Sequence, residues 1–187
     1  MRIIAGQFRG RKLLGPDTNL TRPITDRAKQ SVFDALTGDL PDAIVYDLFA
    51  GTGSLGLESL SRGCKHATFF ESDRSALALL QKNIAALAVA DRATIIRGDV
   101  IAWFASSAKP PHPADLVFLD PPYRFLTERA ADLQALAEKI VTAHLSPTGR
   151  ILFRHDRRDA LELPMLRHID VRDYGSMRVE FLMKPLR

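Results

Sequence analysis

The stretch AIVYDLFAGTGSLGLESL, residues 43–60, decides the fold. Its first seven residues form a nearly continuous apolar run, which is typical of a strand buried on both faces of a parallel sheet. Gly51, Gly53 and Gly56 follow, and residues 54–62 then have the pattern of a helix. Glycines between a strand and a helix allow a tight turn and let the backbone approach a ligand closely. The stretch therefore predicts a doubly wound α/β fold with a ligand pocket beside this loop.

Strand and helix patterns alternate through the rest of the chain. Four further strands are predicted, at 66–72, 93–99, 114–120 and 149–156, the last of them after the breaker S-P-T-G. Two further helices are predicted, at 73–87 and 126–145. The tail, residues 166–187, divides at a turn around Gly175 into two strand-like runs, as an antiparallel hairpin does. We therefore predict a doubly wound sheet of seven mostly parallel strands with an antiparallel C-terminal hairpin.

The N-terminal segment, which precedes this alternation, predicts two small elements. RIIAGQFRGRKLL, residues 2–14, alternates and contains two glycines, which is typical of a short β-hairpin. A helix is predicted from residue 21 or 22 to Leu36, because Pro23 suits a first helical position and Gly38 follows the last apolar residue.

The same segment carries the whole net charge of +4, with seven arginine and lysine residues against three aspartates in residues 1–37. A basic segment on an otherwise neutral chain is typical of a protein that contacts a nucleic-acid backbone, although a solvated charged arm has the same composition. We expect residues 1–37 to extend a catalytic core at 38–187, both within a single domain of residues 1–187.

The composition argues against several classes of protein. Cys64 is the single cysteine, which excludes an internal disulfide and a thiolate zinc site, and the five histidines are too scattered to predict a metal site. The chain contains no apolar run of about 18 residues and no signal-peptide pattern. We expect a cytoplasmic protein, monomeric, without a metal and without a membrane partner.

Carboxylates stand at the ends of three successive predicted strands. Glu71 comes 20 residues after Gly51, the sequence spacing at which an acidic residue binds the ribose of NAD or of another adenosine-bearing cofactor. Asp47 would repel a pyrophosphate but suits a cofactor with an amino group, which favours S-adenosylmethionine. Asp99 can accept from an adenine amine while Val100 supplies an apolar wall, although an aspartate after a strand is more often a helix cap.

A fourth strand end, LDPPYRF at residues 119–125, favours chemistry on an amine. Two consecutive prolines cannot donate hydrogen bonds and are stiff, so the Pro121 carbonyl can be held fixed and unpaired. Together with Asp120 it can accept both hydrogens of an exocyclic amine, while Tyr123 stacks on the ring that bears the amine. Such an arrangement favours a pyramidal nitrogen whose lone pair can face a methyl donor.

The motifs DLFAGTGSLGLESL, FFESD, RGDV and LDPPY, in this order, resemble those of Rossmann-like class I S-adenosylmethionine-dependent methyltransferases that act on amino groups. The chain resembles most closely the RsmD family, which methylates the exocyclic N2 of one guanine in bacterial 16S ribosomal RNA. RIIAGQFRGRKL and TRPITDRAKQSVFDAL carry the narrower part of this resemblance, which extends from Arg2 to Tyr123. Two residues depart from the family pattern: Ile24, where threonine is frequent, and Gln30, where glutamate is frequent.

The resemblance implies a role for each of these positions. The cofactor-binding residues that it implies are Asp47, Gly51, Thr52, Gly53, Glu71, Ser72, Asp99, Val100 and Asp120. The residues that would hold the target base are Asp120, Pro121 and Tyr123. The residues that would contact the RNA backbone are Arg2, Arg9, Arg11, Lys12, Arg22 and Arg27.

The resemblance implies direct, in-line methylation of the N2 amine of a guanine in 16S ribosomal RNA, within an assembling or complete small ribosomal subunit. The base must be unpaired or flipped for its amine to be reached. A methyltransferase acting on DNA adenine or on protein glutamine would share the D-P-P-Y chemistry. An NAD-dependent oxidoreductase would share the glycine loop, and a non-catalytic RNA-binding module would share the basic segment.

Overall fold

A computed structural model describes residues 1–15, 24–106, 110 and 112–185 of this chain. These residues form a seven-stranded sheet with the order β3-β2-β1-β4-β5-β7-β6. The strands are β1 (Ile44–Asp47), β2 (His66–Glu71), β3 (Ala93–Arg97), β4 (Ala114–Leu119), β5 (Leu145–Asp156), β6 (Arg167–Tyr174) and β7 (Met177–Met183). The first five strands pair in parallel, whereas β7 is antiparallel to both β5 and β6. The predicted parallel sheet and antiparallel C-terminal hairpin are confirmed.

Helices cover both faces of the sheet. They are α1 (Asp26–Ala35), α2 (Ser54–Ser61), α3 (Arg74–Leu87), α4 (Val100–Ala105), α5 (Phe125–Glu128) and α6 (Ala130–Ala143), with a short 3₁₀ turn at Ala90–Arg92. Successive residues of β1 point to opposite faces: Val45 packs in a buried cluster with α1, α2 and α3, and Tyr46 in another with α4 and α6. The strands are apolar runs because both of their faces are covered.

Four predicted boundaries were wrong, each because of local backbone geometry or a helix cap. The S-P-T-G sequence does not precede β5 but lies inside it, where a shift of register opposite Ala114 and Leu116 accommodates the proline. The predicted strand 93–99 ends at Arg97, because Gly98 has a φ of 128° and the helix α4 then begins. The predicted helix 126–145 is divided into α5 and α6 at Arg129, whose φ is −136°.

The first helix begins later than predicted, at Asp26, because the Thr25 side chain accepts a hydrogen bond from the amide of Ala28 and caps it. Residues 16–23, which include the predicted first helical position at Pro23, lie outside the described residues.

The predicted N-terminal β-hairpin is confirmed only as an antiparallel reversal: residues 2–14 form a loop closed by one bridge between Arg2 and Lys12, without regular strands. The loop reverses at Gly6 and Gly10, both of which have positive φ. A Cβ at Gly6 would lie 1.9 Å from the backbone oxygen of Ser61 on α2, so the loop is tightly apposed to that helix. Besides this packing, the amides of Ile3, Gly10 and Leu13 donate to the carbonyls of Arg11, Ile3 and Met1, which joins the two arms of the loop. The large buried apolar residues of the described part of this segment pack in the same cluster as β1 and β2; they are Ile3, Leu13, Val32, Phe33 and Leu36.

Candidate active site

Three carboxylates meet at one edge of the sheet, where the parallel strands β1, β2 and β4 end. Asp47, the last residue of β1, lies between Phe69 of β2 and Phe118 of β4. Glu71 and Asp120 each come two residues after these partners and therefore flank Asp47 on either side. The carboxyl ends of strands in such sheets are the usual place of a ligand.

Asp47 is buried, with 1% of its surface exposed, and its Oδ2 accepts a hydrogen bond from the Gly56 amide at 3.0 Å. Burial raises the pKa of Asp47 to about 7, the bond from Gly56 opposes this rise, and the negative charges of Asp120 and Glu71 add to it. A ligand cation beside Asp47 would favour its ionised form, so the site is suited to an ammonium group.

The glycine loop is tied to the end of β2. The Gly51 amide donates to Glu71 Oε2 at 2.7 Å, while Glu71 Oε1 accepts from the amides of Ser72 and Asp73 at 2.8 and 2.7 Å. Gly51 has a φ of 54°, and a Cβ there would meet no atom within 4 Å. The loop is thus open at Gly51, where a ligand can come close to the main chain.

The glycines of the loop have different roles. Gly53 has a φ of 88° and immediately precedes α2. At Gly56 a Cβ would lie 2.3 Å from Cε1 of the buried Phe69, so this glycine allows α2 to pack on β2. Thr52 is buried, and its carbonyl accepts a hydrogen bond from Asn83 Nδ2 at 3.0 Å. The G-x-G-x-x-G pattern therefore combines a turn with helix–strand packing, and this pattern alone does not select a ligand.

Asp99 caps α4. Its Oδ1 accepts from the Ile101 amide at 2.8 Å, and its Oδ2 pairs with Arg129 Nη1 at 2.9 Å. Burial tends to raise the pKa of Asp99, but these hydrogen bonds outweigh it and lower the pKa below its usual range. Val100 follows as a buried residue. Both oxygens thus have partners, and an adenine contact at Asp99 remains a prediction.

The D-P-P-Y sequence forms a turn from β4 into α5. The Pro122 and Tyr123 carbonyls accept from the amides of Phe125 and Leu126. Among the described ranges, no donor is hydrogen-bonded to the carbonyl of the buried Pro121. Asp120 Oδ1 accepts from Arg154 Nε at 2.6 Å. Two acceptors on consecutive residues therefore stay available to a ligand: Oδ2 of Asp120 and the carbonyl oxygen of Pro121.

Sequence reasoning missed three side chains that support this edge. Arg154 of β5 pairs with Asp120. Asn83 of α3 links the Thr52 carbonyl to both backbone polar groups of Leu14. Glu58 of α2 is buried between cations. A charged residue inside an otherwise apolar strand, as in R-I-L-F-R, is the signal that could have identified Arg154.

The predicted RNA-contacting residues lie mostly on the surface. Those of the described chain that are exposed are Arg2, Arg9, Arg11, Lys12 and Arg27. Arg2 pairs with Asp26 at 2.7 Å, and Arg22 lies outside the described residues. Across the described ranges no three His, Cys, Asp or Glu side chains are placed so that together they could hold a metal ion. None of the helices described is long and apolar enough to cross a membrane.

Comparison with known proteins gives a consistent picture. The family model described as Conserved hypothetical protein 95 matches residues 1–183. Ribosomal RNA small subunit methyltransferase D of Escherichia coli K12 is 43% identical over 124 residues, which cover 66% of this chain and 61% of that protein. The alignment thus spans about three fifths of this relative's length. The protein of the same name from Haemophilus influenzae is 40% identical over 135 residues, which cover 71% of this chain and 69% of that protein.

The fold has a solved counterpart. The structure of yhhF from Escherichia coli superposes with a TM-score of 0.84 at 31% sequence identity, covering 98% of this chain and 97% of that one. The family model spans nearly the whole sequence, and the two relatives carry the name ribosomal RNA small subunit methyltransferase D. The chain therefore belongs to the RsmD family, Conserved hypothetical protein 95.

Proposed function

We propose that this protein is a methyltransferase that uses S-adenosylmethionine to methylate the exocyclic N2 amine of a guanine in 16S ribosomal RNA. The observation that carries the proposal is the pair of acceptors on Asp120 and Pro121, beside Asp47 and the glycine loop. The names of the two relatives, ribosomal RNA small subunit methyltransferases, support the RNA substrate.

The residues at the sheet edge fit the cofactor. Asp47, with its pKa of about 7, suits the ammonium of the methionine part. Glu71 Oε2 accepts one hydrogen bond, from Gly51, and so retains a lone pair for a ribose hydroxyl. When bound, S-adenosylmethionine supplies a methyl group on a positively charged sulfonium. An edge with three carboxylates attracts such a cation and disfavours the pyrophosphate of NAD.

The D-P-P-Y turn suits the target base. Asp120 Oδ2 and the Pro121 carbonyl accept the two N–H groups of the amine, which frees the nitrogen lone pair to face the methyl donor in line. Tyr123, which is partly exposed, stacks on the guanine ring. Asp120 orients the amine and assists the loss of its proton. Catalysis then rests mainly on positioning.

The substrate is expected within an assembling or complete small ribosomal subunit, which the names of the relatives support, and the exposed basic residues of the N-terminal segment can bind RNA phosphates. We accordingly propose a cytoplasmic protein that acts as a monomer. Methylation of DNA adenine or of protein glutamine remains the alternative, since the same acceptors would hold those amines.

The test is methyl transfer from tritiated S-adenosylmethionine to small-subunit particles, naked 16S RNA, DNA and protein, followed by mapping of the modified position. Asp120→Ala should lower kcat by about 100-fold or more, since the amine loses its orientation, while cofactor affinity by calorimetry is largely preserved. Asp91→Ala, at an exposed residue preceding the opposite end of β3, is the matched control.

Each alternative has its own outcome in these assays. Near-normal turnover by Asp120→Ala would overturn the role of this carboxylate. Label in DNA or protein rather than RNA would favour the alternative methyltransferases. Calorimetric binding of NAD in place of S-adenosylmethionine would favour an oxidoreductase. Absence of any turnover, with RNA binding retained, would favour a binding module.

A further inference from the structure

Arg154 lies beside Asp120, although nothing in the sequence patterns assigned it to the site. Leu119 of β4 pairs with Phe153 of β5, so the next residue of each strand follows side by side. Arg154 Nε donates to Asp120 Oδ1 at 2.6 Å, and their side chains are only 13% and 14% exposed. A cation in this position, between two neighbouring strands, is costly to bury unless it is paired. The pair is therefore part of the local architecture of the site.

The Arg154 guanidinium is held from two sides and engages one oxygen of the carboxylate. Its Nη1 lies 3.8 Å from Sδ of Met177 on β7, the strand antiparallel to β5. Within the described part of the chain, Asp120 has no hydrogen-bond donor besides Arg154. Oδ1 is thus fixed by a charged, directional bond, while Oδ2 keeps its lone pairs for another donor.

The charges around Asp120 make this partner important. Burial raises the pKa of Asp120, and Arg154 is the neighbour that opposes the rise. Asp47 on β1 is a like charge that interacts with Asp120, and Glu71 on β2 adds to the negative charge at Asp47. Tyr123, in the turn after β4, interacts electrostatically with Arg154. Of these groups, Arg154 is the cation that favours an ionised Asp120, and an ionised carboxylate is the better acceptor for an amine.

We propose that Arg154 is a positioning residue for the methylation: it fixes the Asp120 carboxylate through Oδ1 in its ionised form and thereby presents Oδ2 to the target amine. This inference rests on the proposed function in so far as it concerns turnover. The effect of Arg154 on the ionisation of Asp120 is a property of the free protein and is measured without substrate.

The test compares Arg154→Met, which removes both the charge and the bond, with Arg154→Lys, which keeps the charge but not the planar geometry. The carboxyl ¹³C resonance of Asp120 is followed against pH in each protein and is assigned by its loss in Asp120→Asn. In Arg154→Met the midpoint should move to higher pH, whereas Arg154→Lys should stay near the wild type. Cofactor affinity, measured at alkaline pH, should be unchanged in both variants.

Turnover supplies the second readout. Arg154→Met should lower kcat by about 100-fold, the loss expected when a reacting group is misplaced, and should move the acidic limb of the pH–rate profile to higher pH. Arg154→Lys should recover part of kcat. Arg150→Met is the matched control, since it removes another arginine of β5 from a pair with Asp39 outside the site.

The outcomes separate this inference from the proposed function. An unchanged midpoint of the Asp120 titration in Arg154→Met would overturn the role of Arg154. A kcat of Arg154→Met equal to or above the wild-type value would also overturn it, because the arginine would then compete with the amine for Asp120. If Arg154→Met does not fold, a kcat of Arg154→Lys equal to the wild-type value overturns it. If the wild type itself methylates no RNA, the proposed function fails, and the ¹³C titration still decides whether Arg154 controls Asp120.

Discussion

Glu58→Gln should destabilise the protein strongly, because Glu58 is a fully buried carboxylate surrounded by donors. Oε2 accepts from the Ile4 amide at 2.8 Å and lies 3.3 Å from Lys29 Nζ. Oε1 accepts from the Ala5 amide at 3.0 Å and from Arg62 Nε at 2.9 Å. The side chain thus connects the N-terminal loop, α1 and α2 immediately after the glycine loop. Glutamine keeps the shape but removes the charge and one acceptor.

The size of the stability loss in Glu58→Gln depends on which of the two cations, Lys29 or Arg62, is left without a partner. Lys29 is 2% exposed in its side chain, whereas Arg62 is more exposed and lies 3.5 Å from Asp34 as well. Removing one partner of a buried pair costs about 3–5 kcal/mol, because the other charge is left without compensation. This is a large part of the total stability of about 5–15 kcal/mol of a typical domain.

The loss should depend on pH in a defined direction. Burial lowers the pKa of Lys29 below its ordinary value of 10.5 more than Glu58 raises it, and without Glu58 this pKa falls further. Between the folded pKa and 10.5 the unfolded chain binds a proton that the folded chain does not, so stability rises with pH in that window. This pH window is wider in Glu58→Gln than in the wild type. The difference in unfolding free energy between the two proteins, the stability deficit of the variant, should therefore shrink toward alkaline pH.

Urea unfolding followed by circular dichroism, at neutral and at alkaline pH, measures this deficit. The double variant Lys29→Met with Glu58→Gln should be more stable than Glu58→Gln alone, since the unpaired cation is gone. Glu128→Gln is the control, because its pair with Arg124 is exposed and is worth less than about 1 kcal/mol. A deficit below about 1 kcal/mol for Glu58→Gln, or one that is equal at both pH values, would refute the reasoning.

Three further changes have defined outcomes. Asp47 binds a proton in the folded chain up to a pKa of about 7 and in the unfolded chain only up to its ordinary 3.8, so stability falls as pH rises through this window. At a pH above this window, the free energy of urea unfolding of Asp47→Asn should therefore exceed that of the wild type by more than about 1 kcal/mol. At a pH below the window it should not, and a difference that is the same at these two pH values would contradict this reasoning. Gly56→Ala should cost about 1–3 kcal/mol in thermal unfolding, because its Cβ would lie 2.3 Å from Phe69, whereas Gly38→Ala, which has open space, should be neutral. Replacing three exposed basic residues of the N-terminal loop with glutamine should weaken RNA binding and reduce the slope of log K against log salt by about 2 in filter-binding assays, and an unchanged slope would argue against this contact. These residues are Arg9, Arg11 and Lys12.

Much of the fold could be predicted from local signals. Apolar runs predicted the parallel strands, and the helix predicted at 73–87 is confirmed as α3, which Asp73 caps by accepting from the Ala76 amide. Asp47, Glu71 and Asp120 follow predicted strands, and the carboxyl ends of strands in a parallel sheet lie together, so their common edge follows from the strand predictions. Asp99 was given two interpretations from sequence, and the structure has the helix cap.

The sequence by itself determined the strands, the glycine loop and the acidic residues that follow the strands, because these depend on periodicity, backbone freedom and caps within a few residues. Only the tertiary structure decided that β7 lies between β5 and β6, that the N-terminal segment is a loop packed on α2, and that Asp120 is paired with Arg154, 34 residues away. Such contacts depend on which strands become neighbours and in which register. That outcome is set by packing over the whole chain: a short stretch can mark a residue such as Arg154 as unusual but does not determine its partner.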